Sequence, residues 1–118
     1  MSGWIGVDLD GTLAIYDGWV AADHIGAPVP RMVQRVKAWL AEGRDVRIFT
    51  ARVGHVPMGE PGRLDPELIR ACIEAWCVVH IGQALPVTAE KDLHMVELWD
   101  DRCVQVVPNT GLRADGVS

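Results

Sequence analysis

The chain has 118 residues, 49% of them apolar and 23% charged, with 16 acidic against 11 basic side chains and a net charge of -5. That length fits a single domain, 1–118, around one core, and the composition is that of a globular chain, neither disordered nor fibrous. The acidic balance argues against general nucleic-acid binding, which needs a basic face, and no run approaches the roughly 18 apolar residues required to span a bilayer.

Ile5-Gly6-Val7, in the short apolar run that opens the chain, reads as a buried strand. It ends in Asp8-Leu9-Asp10-Gly11-Thr12. Carboxylates two positions apart at the end of a strand project to the same side, and Gly11 lets the backbone turn away sharply. Such a pair suits a hard cation and a phosphate at the crevice beyond the strand ends of an open α/β sheet. By residue type alone the pentapeptide equally fits a surface turn.

Residues 13–29, rich in Gly, Asp, Ala and Pro, lack periodicity and read as a flap. Pro28 and Pro30 introduce Met32, Val33, Val36, Trp39 and Leu40 at helical spacing, with Gly43 as the C-terminal stop. Asp45 to Phe49 follows as a strand ending in Thr50-Ala51-Arg52. Residues 53–63 hold three Gly and two Pro, exclude regular structure and make a candidate lid. Asp65 caps a second helix begun by Pro66, with Leu68, Ile69, Cys72, Ile73 and Trp76 as its apolar stripe, running to about Val79.

Leu85 to Thr88 is a short strand, Met95 to Trp99 a firmer one ending in Asp100-Asp101, and Val104 to Val107 a fifth; the tail 108–118 is expected to fray. Strands alternating with helices predict a parallel sheet. Adjacent acids after an apolar strand repel each other unless a cation sits nearby, which weakens a plain solvated turn at Asp100-Asp101. Cys72, Cys77 and Cys103, odd in number and without metal-like spacing, point to reduced thiols and a cytoplasmic protein. His24, His55, His80 and His94 form no spaced metal set. Trp19 with Tyr16 in the flap is either a substrate-facing aromatic or part of a cluster closing the loop.

Along the chain the order is acid pair, hydroxyl, lysine, acid pair: Asp8 and Asp10, Thr50, Lys91, Asp100 and Asp101. In this the chain, from Trp4 to about Val107, resembles the haloacid dehalogenase-like (HAD) hydrolase superfamily, whose four motifs occur in this order at the ends of parallel strands. The resemblance implies a single Rossmann-like three-layer α/β domain with strand order 5-4-1-2-3. The short segments between motifs leave no cap domain, so the site would be open.

The resemblance also implies roles. Asp8 would be the nucleophile and Asp10 the general acid, with Thr50 and the backbone N–H groups of Leu9 and Ala51 on the phosphate and Lys91 offsetting charge. Mg²⁺ would be held by Asp8, the carbonyl of Asp10 and the pair Asp100 and Asp101, with Asp101 favoured as the direct ligand. Retention of Asp10 favours phosphoryl chemistry over dehalogenation. Arg52 and Arg102 would bind substrate or neutralise the aspartates. The expected activity is Mg²⁺-dependent hydrolysis of a phosphomonoester, small or macromolecular, a nucleic-acid 3'-phosphate end included, through an aspartyl phosphate on Asp8. The alternative is a phospho-ligand or regulatory binding module with little turnover. A homo-oligomer would supply a cap in trans.

Overall fold

A computed structural model describes residues 2–54 and 64–117. The first strand, β1 (Trp4–Val7), is buried along its whole length, as its unbroken apolar run requires. Helix α1 (Pro30–Ala41) starts with Pro at its first turn and ends at Glu42, followed by Gly43 at φ 79°, the left-handed stop expected of a glycine there. Strand β2 (Asp45–Phe49) runs into a single 3₁₀ turn, Ala51–Val53, and the Asp65 side chain caps α2 (Pro66–His80) by accepting from the N–H of Glu67. Strands β3 (Val87–Thr88) and β4 (Met95–Trp99) complete the regular elements. No helix among the described residues is long and apolar enough to cross a membrane.

The strands form one parallel sheet in the order β3-β2-β1-β4. Val7 lies opposite Ile48 on one side and Trp99 on the other, so β1, β2 and β4 end side by side. Ile5, Val7, Val46, Ile48 and Val87 meet Met32, Val33 and Val36 of α1 and Ile69, Ile73, Trp76 and Cys77 of α2 in one buried cluster. Both crossovers from β1 to β3 step the same way across the sheet, so right-handed connections put both helices on one face.

Two expectations are corrected here. The five-strand order 5-4-1-2-3 does not form, because Val104 to Val107 is not a strand of the sheet. It pairs instead with the tail, through Val107 N–H to the Leu112 carbonyl and Ala114 N–H to the Gln105 carbonyl, both 2.8 Å, in an exposed turn whose apolar side chains touch no core. The tail expected to fray is thus held by its own backbone. The three-layer arrangement is also absent among the described residues. The opposite face, around Trp4, Gly6, Met95 and Leu98, is crossed only by the link from β3 to β4. Within that link Asp92 accepts from Trp4 Nε1 at 2.9 Å, while Arg47 stacks on the Trp4 ring at 4.7 Å. A link of six residues is too short for a helix to form and still reach β4.

The flap 13–29 is irregular but anchored. Ala14 and Pro28 bridge its base, Ile15 N–H bonds the Ala27 carbonyl at 2.8 Å, and Trp76 Nε1 of α2 donates to the Gly26 carbonyl at 3.0 Å. A Cβ at Gly26 would collide with the Ile15 carbonyl, which is backbone and cannot swing aside. Gly26→Ala is therefore expected to destabilise the protein by about 1–3 kcal/mol, read from the denaturant midpoint; an unchanged midpoint would show that the flap base is not held as described.

Candidate functional site

The strand ends converge on a cavity of about 670 Å³ whose lining includes Asp8, Asp10, Thr50, Ala51, Arg52, Asp100, Asp101 and Arg102. Asp8 N–H bonds the Trp99 carbonyl at 2.8 Å, which aligns the residue after β1 with the acids after β4. Oxygens of Asp8, Asp100 and Asp101 all lie within 4.8 Å of one another. Thr12 holds this arrangement: its hydroxyl accepts from the Asp101 N–H at 3.1 Å and lies 3.4 Å from Asp8 Oδ2 and from Asp101 Oδ1. Gly11, at φ 88°, must be glycine twice over, since a Cβ there would also strike the Asp101 carboxylate.

Burial and the neighbouring acids raise the Asp8 carboxyl from 3.8 to about 7: desolvation acts first, then a hydrogen bond shared with Asp101, then the charges of Asp100, Asp101 and Asp10. A proton between two carboxylates occupies the place a cation would take. The donor set is all oxygen and strongly anionic, and it fits a hard divalent ion that keeps several waters. The Asp10 carbonyl accepts no hydrogen bond from the described residues and is free to join the set.

The Asp10 side chain, expected to be the general acid, is held by an arginine. Arg52 grips it with Nε and Nη2, both at 2.8 Å, while Nη1 donates to the carbonyls of Ala22 at 2.9 Å and Ala21 at 3.3 Å. The guanidinium also lies 5.1 Å from the centre of the Trp19 ring, and the Arg52 side chain is only 5% exposed. Arg52 is thus a clamp joining the end of β2, Asp10 and the flap, with four of its five N–H groups engaged. Each Asp10 oxygen keeps a further lone pair beyond its bond to Arg52.

Thr50, 3% exposed, accepts from the Arg52 N–H at 3.2 Å, and its own hydroxyl proton is donated to none of the described residues. The N–H groups of Leu9 and Ala51 likewise meet no acceptor among the described residues. The Leu9 side chain is fully buried, so this residue can serve a ligand only through its backbone. Arg102 lines the cavity, its N–H bonded to Asp100 Oδ1 at 2.8 Å. Lys91 is not brought in. It is exposed, it lies in the link after β3, and it is absent from the cavity lining. The link begins beside the site, since Thr50 N–H bonds the Thr88 carbonyl at 2.9 Å, but Lys91 is not among the residues that line the cavity. Of the candidate lid 53–63, Val53 and Gly54 end the 3₁₀ turn, and residues 55–63, His55 and Arg63 included, lie outside the described residues.

Of the two roles expected for Arg52, the geometry shows the pairing with an aspartate, Asp10, while its bonds to the flap carbonyls had no signal in the sequence. No protein-family model matches the chain, and no curated protein matches it. Among solved structures it is similar to a conserved protein of Bacteroides thetaiotaomicron, with a TM-score of 0.57 at 22% identity, over 92% of this chain and 84% of that one. That likeness shows the fold: an α/β unit with a parallel sheet, compatible with a Rossmann-like arrangement.

Because the folded Asp8 carboxyl titrates near 7 against 3.8 for the free group, the folded state holds a proton between those values that the unfolded chain has lost. Asp8 therefore opposes folding increasingly as pH rises from 3.8 and fully above about 7. Without divalent cation, thermal melts across that range should show Asp8→Asn gaining stability over wild type as pH rises, and saturating Mg²⁺ should stabilise wild type more than the variant. Parallel pH curves for the two proteins would contradict the assignment.

Proposed function

We propose that the protein is a Mg²⁺-dependent phosphomonoesterase, a compact member of the haloacid dehalogenase-like superfamily without a cap, working through an aspartyl phosphate on Asp8. The observation that carries this reading is the gathering of Asp8, Asp100 and Asp101 oxygens within 4.8 Å, at strand ends that also present the Thr50 hydroxyl. Hydrolysis of phosphate monoesters needs rate enhancements of up to about 10²¹-fold, so nucleophile, proton donor and charge neutralisation must act together.

Asp8, Asp100, Asp101 and the Asp10 carbonyl would hold the Mg²⁺. When bound, the ion neutralises the phosphate and the nucleophile and keeps Asp8 ionised. An Asp8 oxygen attacks phosphorus, the bond from phosphorus to the leaving oxygen breaks, and Asp10 gives that oxygen its proton. Water then attacks phosphorus, passing a proton to Asp10, and the bond to Asp8 breaks, leaving phosphate and the free carboxylate. The Thr50 hydroxyl and the Leu9 and Ala51 N–H groups donate to the phosphate oxygens. Arg102 supplies positive charge at the rim, a task Lys91 would perform only after a change of position. The free cysteines suit a reducing compartment such as the cytoplasm.

A second reading, phospho-ligand binding with little turnover, draws on Asp10 being locked to Arg52 and Lys91 lying outside the cavity. Phosphate release from a panel of monoesters separates the two. Under the first reading, release requires Mg²⁺ and falls by at least about 10³-fold in Asp8→Asn. In Arg52→Ala the pH profile should change shape because the clamp on Asp10 is gone, while Lys91→Ala should retain activity within about threefold. Binding of phosphate esters without release, by folded Mg²⁺-loaded protein, would leave the second reading.

A further inference from the structure

The cavity has two unlike halves. One carries the acids, Thr50 and Arg102; the other is walled by Tyr16, Trp19, Phe49, Leu64 and Ile69. Phosphate hydrolysis as proposed uses only the first half. The apolar wall therefore answers to the rest of the substrate.

Trp19 is 60% exposed and Tyr16 47%, yet both line the cavity. A single exposed aromatic would need no explanation. Trp19 differs because its ring is held in place: it rests on the Arg52 guanidinium at 5.1 Å, and that guanidinium is itself fixed by Asp10 and the Ala21 and Ala22 carbonyls. The indole lies against Arg52 and still keeps 60% of its surface exposed, enough to receive a partner. The same arginine thus sets the position of both Asp10 and the aromatic surface relative to the acid cluster. A ring fixed beforehand loses little entropy when a flat partner stacks on it. The cavity, about 670 Å³, falls within the range of roughly 300–1,000 Å³ typical of small-molecule sites.

We propose that the substrate is a small phosphomonoester whose leaving group bears a flat aromatic ring, stacked on Trp19 while its phosphate lies at the acid cluster. The inference rests on the phosphatase reading and narrows it from phosphate esters in general to ring-bearing ones. Nucleoside monophosphates and simple aryl phosphates share the required chemistry. Sugar and glycerol phosphates, which have no ring to stack, would bind through phosphate alone.

The test compares kcat/KM for nucleoside monophosphates, an aryl phosphate and glycerol phosphate on wild type, Trp19→Ala and Trp19→Phe, with Mg²⁺ present. Calorimetric titration of the same ligands into the same proteins reads binding without turnover. Trp19→Ala should lose about 5- to 150-fold on the ring-bearing substrates, chiefly through KM, and Trp19→Phe should recover most of it. Glycerol phosphate should change by less than about twofold. A preference for nucleotides over the aryl phosphate that persists in Trp19→Ala would assign sugar contacts to other residues while leaving the stacking in place. Equal loss on all substrates, or none on any, overturns the proposal while leaving phosphatase activity standing. Trp19-dependent nucleotide binding without turnover supports the stacking site and overturns the phosphatase reading alone. Absence of both turnover and ring-dependent binding overturns both.

Discussion

Repulsion among carboxylates is the constraint around which this end of the molecule is organised. The parallel pairing of β1 with β4, sealed by the Asp8 N–H to the Trp99 carbonyl, sets Asp8 beside Asp100 and Asp101. Two like charges about 4 Å apart repel by about 4 kcal/mol at an effective dielectric of 20. The fold answers that cost locally. Thr12 bridges the two strand ends, Gly11 gives the backbone room to pass the Asp101 carboxylate, and Arg52 pairs with Asp10, whose charge still acts on Asp8. What remains is Asp8, which without a cation takes a proton near neutrality. The three acids line the cavity, and a carboxyl shifted by burial and like charges within a cleft makes this a candidate site.

Much of this was legible in the chain because the signals are local. An apolar run ending in Asp-x-Asp-Gly-Thr predicts a strand that delivers acids to its end, and β1 does so. The proline starts of α1 and α2 appear where they were expected, and in the stripe of α2 Ile69, Ile73 and Trp76 are buried while Leu68 is exposed and Cys77 enters the core. Expectations that depended on distant partners fared differently. Val104 to Val107 has β-forming composition, but composition cannot say whether a sheet edge will receive it, and it folds on the tail instead. Lys91 stands in the right order along the chain, yet it is exposed and is not among the residues that line the cavity. The pairing of Arg52 with Asp10 spans 42 positions and leaves no periodicity to read.

Arg52 connects the chemistry to the flap. Its side chain reads the Asp10 carboxylate, the flap carbonyls and the Trp19 ring at once, so any movement of the flap is felt at Asp10. Charge-assisted bidentate contacts of this kind hold geometry more firmly than single ones.

The most direct test of the central claim, that Asp8 is a phosphoryl acceptor within a cation site, is trapping with beryllium fluoride, which mimics an aspartyl phosphate. Fluorine NMR of the protein with Mg²⁺ and beryllium fluoride should show bound fluoride signals that disappear on removal of Mg²⁺ and in Asp8→Asn. Absence of bound signals from folded, Mg²⁺-saturated protein, or signals that persist in Asp8→Asn, would contradict it.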